Sequence, residues 1–146
     1  MEYVKNFRTY IDIGAGDGNA CTEYVSKFTR VYAFEPNPVL NILIPNTIKM
    51  FPYALGDLNK EVIIKDGTRQ YVIDQKTLDE FRFTTVDVIK INTGEFDLQV
   101  LKGAIQTILK SKPVILVNNN KLVVDFLKNL KYNIIEYNNG TVAYYE

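Results

Sequence analysis

The sequence predicts an α/β fold built on a doubly wound, mostly parallel sheet. Three observations carry the prediction. An apolar run ends in the glycine-rich turn Tyr10-Ile11-Asp12-Ile13-Gly14-Ala15-Gly16-Asp17-Gly18. A second apolar run, Val31-Tyr32-Ala33-Phe34, ends on the carboxylate of Glu35. Strand-like and helix-like segments then alternate down the chain and close on a hairpin, the order that builds a layered α/β domain.

The elements follow in sequence. Strand one is expected at Thr9–Ile13, a helix at Gly18–Phe28 and strand two at Val31–Phe34. Pro36 and Pro38 hold the next segment irregular. Strand three is expected at Thr47–Tyr53, where Pro52 points to an edge or a bulge. Glu61–Ile64 and Gln70–Ile73 flank Asp66-Gly67 and read as a small hairpin. Thr77–Phe81 reads as a short helix and Val86–Ile91 as strand four, buried on both faces. Leu98, Leu101, Ile105 and Ile108 recur at helical spacing, which predicts one helix from Gly94 to Lys110. Pro113 opens strand five, Val114–Val117. A helix at Lys121–Leu130 carries Val123, Phe126, Leu127 and Leu130 on one face. Tyr132–Tyr137 and Thr141–Tyr145 flank Asn139-Gly140, a hairpin signal. In such sheets ligands bind at the carboxyl ends of the strands. Gly14–Gly18, Glu35, Ala54-Leu55 and Asn92 all belong to that edge.

Composition narrows the classes. The chain has 146 residues, enough for one domain with a single substantial core. It is 47% hydrophobic and 23% charged with zero net charge, which is a globular balance. Its basic residues are dispersed, so nucleic acid is not expected as a partner. No apolar run reaches membrane-spanning length, and Met1–Lys5 lacks a signal-peptide profile, so a cytoplasmic setting is expected. There is no His, which removes His-based catalysis and His-bound metal; no metal is expected. The lone Cys21 shares a helical stripe with Tyr24, Val25 and Phe28 and reads as a buried core thiol.

The glycine turn carries the chemistry. A chain leaving a buried strand must turn sharply, and glycine does so without a Cβ clash. Bare backbone also lets a ligand lie against the amides that open the following helix. Glu35 follows the turn by about 20 residues, where an acidic side chain accepts hydrogen bonds from ribose hydroxyls. The dinucleotide fingerprint would put a third glycine at position 19, which is Asn19; here it is Gly18. Asp12 and Asp17 would repel a pyrophosphate. They suit the sulfonium and ammonium of S-adenosylmethionine (SAM), so SAM is the expected cofactor and NAD the weaker reading.

The chain resembles the FkbM-type SAM-dependent methyltransferases, a branch of the class I methyltransferase fold. The resemblance runs from Thr9 to Tyr137. It rests on Ile11–Gly16, Phe34-Glu35-Pro36-Asn37, Ala54-Leu55-Gly56-Asp57, Thr77–Phe81, Val86–Ile91, Leu98–Ala104 and Pro113–Val117, in order and at matching spacing. It implies a seven-stranded sheet of order 3-2-1-4-5-7-6, with a small extra hairpin after strand three. It also implies methyl transfer to a hydroxyl of a sugar, glycan or small natural product. By position, Asp12, Gly14 and Gly16 would contact the methionine part of SAM, Glu35 would hold the ribose, and Ala54 and Leu55 would lie against the adenine; Asp17 and Pro36 join them as candidate cofactor-binding residues. For each, the alternative is a turn residue that maintains the fold.

The chain departs from the family pattern at the active edge. The pattern after strand four reads Lys-Ile-Asp, a variable residue, Glu-Gly; here it reads Lys90-Ile91-Asn92-Thr93-Gly94-Glu95. The Glu usual after strand five is Asn118. An Asn keeps the hydrogen-bonding shape of Asp but takes no proton. A hydroxyl acceptor needs a base, for which Lys90, Glu95 and Asp97 are the candidates, while Asn92 would orient the acceptor or contact SAM; Lys90, Asn92 and Glu95 are the candidate catalytic residues. Glu95 at a helix start is stabilised as a carboxylate, which weakens it as a base. A SAM-binding domain with little catalysis, acting as a sensor or subunit, is the alternative. The hairpin at Asp66-Gly67 and the loop Asn118–Asn120 are the expected places for acceptor recognition. The acceptor site is then either open or completed by another chain, a second copy or a different partner.

Overall fold

The computed structural model describes residues 1–146. Its strands are β1 (Thr9–Ile13), β2 (Arg30–Phe34), β3 (Lys49–Phe51), β4 (Ala54–Leu55), β5 (Lys60–Asp66), β6 (Arg69–Lys76), β7 (Val88–Ile91), β8 (Val114–Val117), β9 (Asn133–Tyr137) and β10 (Gly140–Tyr144). The helices are α1 (Asn19–Thr22), α2 (Pro38–Asn41), α3 (Asp97–Lys102), α4 (Ile105–Ser111) and α5 (Lys121–Asn129), with 3-10 turns at Leu78–Phe81 and Gly94–Phe96.

Seven strands form one sheet in the order β3-β2-β1-β7-β8-β10-β9. All its pairings are parallel except those of β10 with β8 and β9. β1 is an interior strand between β2 and β7 and is buried along its whole length. Alternate side chains face opposite layers. Ile11 and Ile13 point with Ile89, Ile91, Ile115 and Val117 into a cluster closed by Val100, Leu101 and Ile108 of α3 and α4 and by Val123 and Leu127 of α5. Tyr10, Ala33, Val88 and Val114 face the other way and pack on Cys21 and Phe28.

Five elements differ from expectation. The helix at Gly18–Phe28 is regular only over Asn19–Thr22. The Thr22 hydroxyl donates to the Asn19 carbonyl, and Tyr24, Val25 and Lys27 donate three residues back, to Cys21, Thr22 and Tyr24. A hydroxyl that competes for helix carbonyls favours such tightening. Cys21 is still buried, and burial pushes its thiol up to about 11.

Strand three is shorter than expected, Lys49–Phe51, and stops before Pro52. β3 is an edge strand of the main sheet, and β4 instead joins a second, three-stranded sheet of order β4-β6-β5. The hairpin is longer than expected, with β5 and β6 paired from Lys60–Gln75 to Asp66–Arg69.

The helix expected over Gly94–Lys110 is broken at Gly103-Ala104. A Cβ on Gly103 would stand 2.0 Å from the Gly56 carbonyl oxygen, so the two backbones touch there. The Gly103 carbonyl accepts from the Asp79 amide, and the Asp79 carboxylate accepts from the amides of Gln106 and Thr107 and from the Thr107 hydroxyl. That carboxylate caps α4 from outside, so a new helix starts at Ile105.

Strand four begins at Val88, two residues late. Asp87 instead accepts from the Arg8 guanidinium and from the amides of Arg8 and Thr9.

Candidate functional site

The turn after β1 bends through positive φ at Gly14, Gly16 and Gly18. The amides of Gly14 and Ala15 both donate to the Phe34 carbonyl at the end of β2. The Gly16 amide donates to Glu35 Oε1 at 2.8 Å, and the Asn37 amide to Glu35 Oε2 at 2.9 Å. The buried Glu35 carboxylate therefore ties the glycine turn to the end of β2. Asn37 in turn caps α2 through the Val39 amide, and Asn41 donates to the Glu35 carbonyl. The Phe34–Asn37 motif is one hydrogen-bonded unit.

The glycines are not equivalent. A Cβ on Gly14 would lie 2.2 Å from the Asn92 carbonyl oxygen, so the end of β7 itself excludes a side chain there. Gly16 has open space in the Cβ direction, and only its φ of +63° calls for glycine.

A cleft of about 250 Å³ opens at the carboxyl ends of β1, β2 and β7. Gly14, Glu35, Pro36, Ala54, Leu55 and Asn92 line it, six of the residues singled out from sequence. The rest of its wall was not foreseen: Tyr53, Thr93, Phe96, and from the hairpin Val62, Ile63, Ile64 and Gln75. The hairpin itself was expected, and one sequence signal could have placed it on this cleft. Val62, Ile63 and Ile64 are apolar on both faces of a two-stranded ribbon, which implies a further surface to cover.

A second cleft of about 390 Å³ lies beside the first and shares Asn92 with it. Lys90, Asn118, Tyr137, Asn139 and Thr141 supply its polar lining. The Asn118 amide donates to Asn92 Oδ1 at 3.1 Å, bridging the ends of β7 and β8. The neighbouring asparagines have structural work. Asn119 joins Tyr137 and Thr141, and Asn120 caps α5 through Leu122 and Val123.

The other candidates lie outside both clefts. Asp17 accepts from the amide and side chain of Asn19 and starts α1. Glu95 is exposed in the 3-10 turn. Asp97, on the same segment, is buried, and its Oδ1 takes the amide and hydroxyl of Thr93.

Asp12 is the anomaly. It is 1% exposed, and neither carboxylate oxygen has a hydrogen-bond partner. Burial pushes its pKa up to about 6; the charge of Lys90 pulls it back in part and Glu35 raises it further. Lys90 faces Asp12 in register across β1 and β7, yet the two form no ion pair. A buried carboxylate without partners is costly, and it is the feature a cationic ligand group would relieve. No group of His, Cys, Asp and Glu side chains is placed to hold a metal.

No family model matches the sequence, and no curated protein matches it. Solved structures do. The methyltransferase FkbM from Methylobacillus flagellatus aligns with a TM-score of 0.74 at 18% identity, over 94% of this chain and 43% of that one. This chain thus spans less than half the length of that protein. A precorrin-6y C5,15-methyltransferase from Geobacter metallireducens aligns at 0.62 with 18% identity, over 99% and 84% of the two chains. SMU.1697c of Streptococcus mutans, a candidate methyltransferase solved in complex with SAH, aligns at 0.61 with 14% identity, over 99% and 92%. The class defined by these likenesses is the α/β fold with a mostly parallel seven-stranded sheet found in class I methyltransferases. At such identities the likeness is one of fold.

Proposed function

We propose that this chain binds SAM and transfers its methyl group to an oxygen of a sugar, glycan or small natural product. The observation that carries the reading is the orphaned carboxylate of Asp12, buried in β1 two residues before Gly14, which lines the cleft together with Glu35. Asp12 would face the cofactor's cationic amino-acid end. Glu35 has lone pairs beyond those used by Gly16 and Asn37, and these would accept the ribose hydroxyls. Leu55, Val62, Ile64 and Phe96 would enclose the flat base between apolar walls. The bound cofactor supplies a methyl group already made electrophilic by the sulfonium. The chain's remaining task is to align the acceptor, which is proximity catalysis. The fold likeness to an SAH complex supports the same cofactor.

A second reading is a SAM-binding domain without turnover. The Asn92–Asn118 amide pair favours it, because neither side chain takes a proton.

Calorimetric titration with S-adenosylhomocysteine (SAH), with NAD as control, tests the cofactor. Micromolar binding of SAH alone is expected, and NAD binding instead would overturn the reading. Glu35→Gln keeps one acceptor oxygen for the turn and should weaken SAH by about tenfold, the worth of a charged hydrogen bond. Unchanged affinity would remove Glu35 from the site. Release of SAH from SAM in the presence of acceptors separates the two readings.

A further inference from the structure

We infer that the second cleft receives an acceptor that bears a carboxylate, held by the ammonium of Lys90 and the side-chain amides of Asn118 and Asn139; this rests on the methyl-transfer reading above. Three features converge on it. The cleft adjoins the cofactor cleft at Asn92, so a molecule seated there lies next to the proposed cofactor site. Its lining contains no Asp or Glu, and Lys90 is its only charged side chain. The ion pairs of the chain are Arg8–Asp87, Lys76–Glu80 and Lys121–Asp125, so Lys90 remains without a salt-bridge partner. Lys90 faces the buried Asp12 in register but forms no ion pair with it, and a half-buried cation that lines a cleft among neutral amides is a site for an anion.

The third feature concerns protons. A hydroxyl must lose one on methylation, and no unengaged carboxylate lines either cleft; the unpartnered Asp12 is buried in β1 and lines neither. Glu35 is engaged by the amides of Gly16 and Asn37. Asp97 is buried and engaged by Thr93. Glu95 lines neither cleft, and Asn92 and Asn118 are amides bonded to each other. A carboxylate oxygen arrives without a proton to lose. It forms the new O–CH3 bond as the methyl–sulfur bond breaks, the electron pair of that bond stays on sulfur, and the product is a neutral methyl ester. The ester no longer pairs with Lys90, which favours its release.

The test is a pair of NMR titrations on 15N-labelled protein. SAH is added first and is expected to move the backbone amide signals of Gly16, Glu35 and Leu55. D-glucuronate and D-glucose, which differ by the carboxylate, are then compared. Glucuronate should move the side-chain amide signals of Asn118 and Asn139, and glucose should not. Lys90→Arg should retain the response, and Lys90→Gln should weaken it by about tenfold. Equal responses to both sugars, no response to glucuronate, or an undiminished response in Lys90→Gln would overturn the inference. Silence towards SAH would instead overturn the cofactor reading, and the glucuronate titration still reads the second cleft.

Discussion

Asp12 sits in an interior strand with both oxygens unpartnered, and its proton affinity follows from that placement. An ordinary Asp ionises near 3.8, whereas buried Asp12 holds its proton to about 6. As pH rises past about 4, an unfolded chain loses this proton first. The native state keeps it longer, so stability contributed here is present at low pH and is lost as pH rises to about 6. The full cost above that pH is roughly 3 kcal/mol, at 1.4 kcal/mol for each pKa unit. Asp12→Asn should therefore unfold at higher urea than the parent at pH 7, and the advantage should vanish at pH 4. An advantage independent of pH would contradict the assignment. SAH should show the opposite preference. A cation beside Asp12 favours its charged form, so affinity should rise from pH 5 to 7 in the parent and stay flat in Asp12→Asn.

At the scale of elements, the junction of β4, the Leu78–Phe81 turn and α4 explains why three separate motifs occur together. Gly56, Asp79 and Gly103 are far apart in sequence. In the fold, the Gly56 carbonyl rests on Gly103 and the Asp79 carboxylate caps α4. The apolar stripe Leu98, Leu101, Ile105 and Ile108 shows one unbroken helix to a reader of periodicity. The stripe is real, since Leu101 and Ile108 are buried in one cluster. The break is invisible locally because its cause is a carbonyl contributed by another segment. Asp79→Ala removes the cap of α4 and should cost about 1–2 kcal/mol in urea unfolding. A cost near zero would mean that α4 starts at Ile105 without help.

For the whole molecule, stability and the site draw on different layers. The main sheet is buried on both faces, and the hairpin of the second sheet stands over the cleft as a wall. Leu101 is fully buried, so Leu101→Ala should cost about 2–5 kcal/mol. Ile63 is 63% exposed and lines the cleft. Ile63→Ser should change stability by less than about 0.5 kcal/mol and still weaken SAH in calorimetry. Unchanged SAH affinity in that variant would show that the hairpin is no part of the binding wall. No helix of the chain is long and apolar enough to cross a membrane.

Much of this was legible in the residues alone. The alternation of apolar runs marks β1, β2, β7 and β8 because a strand buried on both faces has little freedom in its composition. The turn at Gly14–Gly18 was legible because backbone sterics at positive φ favour glycine, and Glu35 because a carboxylate ends an apolar run there. Contacts between distant backbones were not. That Gly14 is held bare by the Asn92 carbonyl, that Asp17 serves α1, that Asn118 bridges to Asn92, and that the hairpin closes the cleft all depend on sheet order and strand register. Local patterns arise from short-range sterics and burial, which each residue carries with it. The site arises from which chain ends meet, and that is set only when the strands pair.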